Sequence, residues 1–129
     1  MKNLCASLTA LAITAAISAC AHYPDWPKLD RSPGFDLAQI AKQYNVPRCK
    51  VSVTLTQDQV LRAARLQGDP NPEDRSDWAD MVRAVQPGDE LRQVICLTKG
   101  KNGLAAGDVF CGLFRTGKIV AEMHNVIIN

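Results

Sequence analysis

Histidine and aromatic side chains are scarce in this chain. Its 129 residues include two His, two Trp, two Tyr and three Phe. The scarcity narrows the chemistry on offer. No Cys-x-x-Cys, His-x-x-x-His or EF-hand spacing occurs, so no familiar metal site is written in it. No Gly-x-Ser-x-Gly occurs, and no cysteine opens a helix or sits in papain-like surroundings. Gly100, Gly103, Gly107 and Gly112 lack the order of a phosphate loop and lead into a strand rather than a helix. An excess of one charge is missing too. There are 15 basic and 13 acidic residues and no like-charge block, which leaves no electrostatic footprint for nucleic acid. Arg62, Arg65, Lys99, Lys101, Arg115 and Lys118 are scattered, as on a solvated surface. Repeats and low-complexity tracts are absent. The longest apolar stretch, Leu4 to Ala19, is broken by Ser7, Thr9, Thr14 and Ser18 and falls short of the ~20 residues a spanning helix needs. Neither a cofactor nor a metal is expected.

That stretch has another use. Lys2 is a minimal positive n-region, Leu4 to Ile17 an apolar h-region, and Ile17-Ser18-Ala19-Cys20 closes it. The tetrapeptide resembles the lipobox of bacterial lipoproteins. The resemblance implies cleavage before Cys20, acylation of that cysteine, and a membrane partner through the lipid anchor. In a Gram-negative host, Ala21 after the cysteine favours the outer membrane, facing the periplasm. Ala19-Cys20-Ala21 also fits an ordinary secretory cleavage site, which is the competing reading. Residues 1–19 are thus expected to be a signal peptide, 20–34 the lipidated cysteine and an extended tether, and 35–129 one domain. Loss of residues 1–19 leaves 110 residues, enough for one domain and too few for two. The tether holds His22, Tyr23 and Trp26; the aromatics either fold back on the domain or anchor at headgroup level.

Local signals follow one another through the domain. Asp36 and Gln39 have capping-box spacing, Phe35 and Ile40 staple spacing, and Leu37, Ile40, Ala41 and Tyr44 share a helical face that ends at Asn45 and Pro47. Residues 49–55 alternate as a strand, with Cys49, Val51, Val53 and Leu55 facing the core. Thr56 and Gln59 repeat the capping box, Leu55 and Val60 the staple, for a helix over 57–67 that stops at Gly68. After the polar loop 69–75, Ser76 is placed to cap a helix with Trp78, Met81, Val82 and Val85 on one face. Gln86-Pro87-Gly88-Asp89 suits a type II turn. Strands are expected over 90–98, 108–115 and 118–128, with Lys99–Gly107 as a Gly-rich loop and Arg115–Lys118 as a tight turn. This order indicates an α+β fold: a small two-layer domain, N-terminal helices packed on an antiparallel sheet that ends in a three-stranded meander.

Cys5 leaves with the signal peptide and Cys20 takes the lipid, so Cys49, Cys96 and Cys111 remain in an oxidising compartment. Cys96 and Cys111 stand symmetrically about the 99–107 loop. A hairpin closed over that loop would pair them in a disulfide and leave Cys49 as a buried thiol. The rival pairing joins Cys49 to one of the two strand cysteines. Glu122 and His124 share a strand face, and with Cys111 they sketch a thiol–imidazole pair oriented by a carboxylate. The plainer account is a solvated Glu/His pair and a cysteine spent in a disulfide.

Pro87-Gly88-Asp89-Glu90, Gly112 to Val120 and Asn129 look like the C-terminal part of small uncharacterised bacterial proteins with a helix, a Pro-Gly-Asp-Glu turn and a final hairpin. An aromatic usual after that turn is replaced here by Leu91-Arg92. The resemblance implies no activity. The expectation is therefore a lipid-anchored, non-catalytic binding module of the envelope, of inhibitor or immunity type in one concrete form. It would meet a protein partner through Lys99, Lys101, Asn102 and Leu104. The alternative is a small periplasmic hydrolase or transferase using a Cys/His pair.

Overall fold

The computed structural model describes residues 27–124. Cys20, the tether aromatics and residues 125–129 of the expected last strand lie outside them. Five antiparallel strands lie in chain order: β1 (Leu29–Asp30), β2 (Arg48–Ser52), β3 (Glu90–Gly100), β4 (Gly103–Arg115) and β5 (Lys118–His124). Helix α1 (Leu37–Gln43) connects β1 to β2. Helix α2 (Gln57–Leu66), a 3-10 turn (Pro72–Asp74) and α3 (Ser76–Ala84) connect β2 to β3. The class is α+β and the chain closes in a β3–β4–β5 meander, as the residue pattern indicates.

The helices form where their end signals lie. Thr56 and Gln59 make the reciprocal capping box of α2, and Leu55 and Val60 are buried in one cluster. At α1, Asp36 accepts from the Ala38 amide at 2.9 Å, while the reciprocal Gln39 bond is not made. Both helices end in Schellman motifs. Val46 N–H donates to the Ala41 carbonyl with Asn45 at φ +53°, and Asp69 N–H donates to that of Ala64 with Gly68 at φ +102°. Helix α3 departs from expectation. Ser76 is its first residue and caps nothing; Asp77 accepts from the Trp78 amide instead. Val85 leaves the helix in an extended conformation and is exposed.

Both sheet faces are covered, because successive residues of a strand point to opposite sides. On one face, α1 places Ile40 and Ala41 against Val51, Val94, Phe110 and Phe114. On the other, α2 and α3 place Val60, Ala64, Trp78 and Met81 against Leu91, Cys111, Leu113 and Met123. Helix-on-sheet packing thus occurs twice, with one sheet shared between two cores. Fully burying each large aliphatic or aromatic side chain there contributes roughly 1.5–3 kcal/mol.

Two sequence expectations are corrected in the hairpin. Residues Lys99–Gly107 do not form a loop. Strand β3 continues to Gly100, β4 starts at Gly103, and Lys101-Asn102 alone make the turn. Gly107 is an extra residue on β4, between the pairs Cys96–Asp108 and Leu97–Ala106. A Cβ there would stand 2.6 Å from Thr98 Cγ2, so the bulge closes over a glycine. The second correction follows from the first. Cys96 opposes Asp108, and Cys111 opposes Gln93. The expected pairing was displaced by three residues, and an odd displacement turns a side chain to the other face. The bridge therefore joins Cys49 to Cys96, directly opposed on β2 and β3, and Cys111 is the free, buried thiol. The expected Cys96–Cys111 pair is excluded by this register.

Residues 29–30, read from sequence as tether, pair with Val51 and Ser52. Arg92 holds them there. It stands at an inward position of β3, is 5% exposed, and donates to Asp30 at 2.8 Å, to the Ser52 carbonyl at 2.9 Å and twice to Glu90. Its guanidinium also lies over the Phe35 ring, 5.4 Å from the centroid.

Candidate functional site

Past the rung where Cys96 meets Asp108, β3 and β4 continue as an arm of residues 97–107, flanked by β2 only at its base, where Arg48 opposes Leu97, and two-stranded beyond. The sequence-derived contact residues are all on it. Lys99 and Leu104 oppose each other on the ladder, and Lys101 and Asn102 form its tip. All four are exposed, Leu104 at 46%. The arm forms because alternating pairs carry the ladder to a Gly100–Gly103 rung, where Gly103 takes φ +112°. Neither core cluster contains a residue of it. An exposed ribbon on a rigid sheet can offer a partner both side chains and backbone.

The His124 neighbourhood is better connected than expected. His124 Nε2 lies 2.6 Å from Glu122 Oε2, and its Nδ1 lies 3.4 Å from Asp108 Oδ2. The Tyr44 hydroxyl donates to Glu122 Oε1, and Arg75 donates to the His124 carbonyl. The imidazole stacks on Phe110 at 4.8 Å, and Tyr44 approaches the same ring at 5.0 Å. Partial burial pulls the His124 pKa down. The Glu122 hydrogen bond and the charges of Asp108 and Glu122 outweigh it, so the net shift is upward. Burial and the bond to Glu122 push the Tyr44 phenol up, keeping it protonated.

The third member of the sketched triad is elsewhere. Cys111 pairs with Met123 on the α2 side of the sheet, whereas His124 pairs with Phe110 on the α1 side. The sheet lies between thiol and imidazole. Burial pushes the Cys111 pKa up to about 12, so the thiol is protonated at neutral pH. Cys111 lines a small, mostly apolar void with Leu55, Val60, Ala63, Ala64, Gln93 and Met123. Cys49 is consumed by its bridge. Among the described residues, what remains around His124 is a carboxylate–imidazole–carboxylate row, with the Tyr44 hydroxyl on Glu122 and no free thiol on its face. Its chemistry is to hold a proton and to tie β5 to α1.

The sequence reading named Glu122 and His124 together but missed Tyr44 and Asp108 as their partners. Periodicity puts Tyr44 on the apolar face of α1, and its hydroxyl becomes a partner only once α1 lies against β5. Asp108 opens the expected strand 108–115, but the expected Cys96–Cys111 register gives it no place beside His124; the observed Cys96–Asp108 rung does. Arg92 was missed although it carries a signal: an arginine two residues before Val94 in an alternating strand. Among the described residues, no group of three or more His, Cys, Asp or Glu side chains is placed to hold a metal. Among them, too, no helix is long and apolar enough to cross a membrane. Comparisons of the chain with family models, with curated proteins and with solved structures find no match.

Proposed function

We propose that this protein is a lipid-anchored envelope protein, tethered through Cys20, whose domain is a non-catalytic interaction module. An inhibitor or immunity protein is one concrete form. The observation that carries the reading is the exposed arm of residues 97–107, a built ladder that no helix covers. The Cys49–Cys96 bridge supports an oxidising compartment, where disulfides persist. The lipobox-like residues 17–20 support the anchor, and Ala21 supports the outer membrane of a Gram-negative host. The enzymatic alternative draws no support from the described residues, because its thiol and imidazole lie on opposite faces.

Two measurements test the reading. Mass spectrometry of the membrane fraction should find a mature chain that begins with acylated Cys20; a soluble product starting at His22 refutes the anchor. A photo-crosslinking residue at Leu104 in intact cells should give an adduct with another protein, while the same probe at Val120, equally exposed on β5, should not. Equal adducts, or none, refute the arm as the contact element.

A further inference from the structure

We infer that the sheet face continuing past α2 and α3 onto the arm docks an acidic segment of a partner protein, one with aliphatic residues flanked by Asp or Glu. The inference rests on the binding reading above and gives the partner a chemistry.

The strand register lays out the surface, since directly opposed residues share a face. Lys50 opposes Ile95, which opposes Val109; Arg48 opposes Leu97; Lys99 opposes Leu104. By alternation, Ile95 and Val109 extend the face that carries Leu91, Cys111 and Leu113 under the helices. The helices stop short of this extension. Ile95, Leu97, Leu104 and Val109 belong to neither core cluster and are not packed against one. Four aliphatic side chains therefore form an apolar centre, with Arg48 and Lys50 along the β2 side and Lys99 toward the tip.

The three cations are exposed, and none is ion-paired with a described residue. Within the register the nearest carboxylate is that of Asp108. It opposes Cys96, so it belongs to the other face, where it meets His124. An apolar centre with uncompensated positive charge on its rim selects a ligand with the inverse pattern. A protein segment fits better than a bilayer. No Trp or Tyr stands on these rungs, and surfaces seated at headgroup level draw on both.

The test uses the purified full chain and three probes: a labelled peptide with a central aliphatic run flanked by glutamates, its lysine-flanked counterpart, and phosphatidylglycerol vesicles. The acidic peptide should bind and the basic one should not, and added salt should weaken binding. Lys50→Glu with Lys99→Glu should weaken it by about tenfold or more. Lys42→Glu with Lys118→Glu, which line the α1 side, should leave it unchanged. Unchanged thermal midpoints show that the variants remain folded.

Equal binding of both peptides, no binding of the acidic peptide, or indifference to the Lys50/Lys99 reversal overturns the inference. Vesicle binding without peptide binding overturns it as well and assigns the face to a membrane. The two readings fail separately. A protein adduct at Leu104 that survives the charge reversals removes this inference and leaves the binding module standing. Absence of both adduct and peptide binding removes both.

Discussion

At the scale of single residues, the most informative side chain is His124. Both ring nitrogens face carboxylates, Glu122 and Asp108, and Glu122 is also held by Tyr44. Its folded pKa lies above its ordinary value of 6.5. The folded state therefore holds the proton more tightly than the unfolded chain does. The stabilisation is fully present below about pH 6.5 and is lost as pH rises through the higher folded value. Wild type should lose stability between slightly acid and slightly alkaline pH relative to His124→Gln, measured by denaturant midpoints at several pH values. A difference that stays flat, or grows with pH, contradicts the assignment. Cys111 gives a second residue-scale expectation. Buried and protonated, it should be inert to a thiol reagent in the native chain, and one thiol per domain should react once the chain is unfolded without reductant. Fast labelling of the native chain would show that α2 does not seal the Cys111 void.

At the scale of elements, the Cys49–Cys96 bridge spans 47 residues and includes α2, α3 and the start of β3. By the loop-entropy relation, closing a loop of that length constrains the unfolded chain by about 4 kcal/mol. The bridge first expected, Cys96–Cys111, would have closed a much shorter loop for less. Cys49→Ala with Cys96→Ala should accordingly cost about 3–4 kcal/mol by urea unfolding, and non-reducing peptide mapping should link the two segments. A linkage involving Cys111, or a cost near zero, counts against it. The error in pairing shows which elements were legible. The capping box of α2 and the turn at Pro87-Gly88, with Gly88 at φ +87°, are local signals and lie where they were read. So does the Arg115–Lys118 turn, where Thr116 and Gly117 both take positive φ and Phe35 crowds the space of a Gly117 Cβ. The arm was illegible because it has no buried face. Lys99, Gly100, Gly103 and Ala105 show no apolar alternation, and nothing local announces that Gly107 is a bulge. Symmetry of Cys96 and Cys111 about residues 99–107 predicts the pairing only if those residues form a loop; they form a ladder with a bulge, so the expected register and the expected pairing fail together.

At the scale of the whole molecule, a five-stranded sheet serves two cores and then outruns both. The arm can therefore be removed at little cost. Deleting Leu97–Gly107 and joining Cys96 to Asp108, which already oppose each other, by a two-residue Asn-Gly turn should change stability by less than about 1 kcal/mol, as exposed sites usually do. A photo-crosslinking probe at Lys50, which the shortened chain keeps, should then lose its partner adduct. Global unfolding on deletion would mean that the arm is structural. The N-terminal edge behaves in the opposite way, and its consequence is mechanical. Strand β1 joins the sheet by two residue pairs and by the Asp30–Arg92 contact. If the chain is anchored at Cys20 as proposed, a pull enters the domain there, is handed across β2, and reaches β3 through a covalent sulfur link. Under load β1 is the weak coupling: it peels away first and lengthens the leash, while the bridged strands behind it keep the arm's own strands in register.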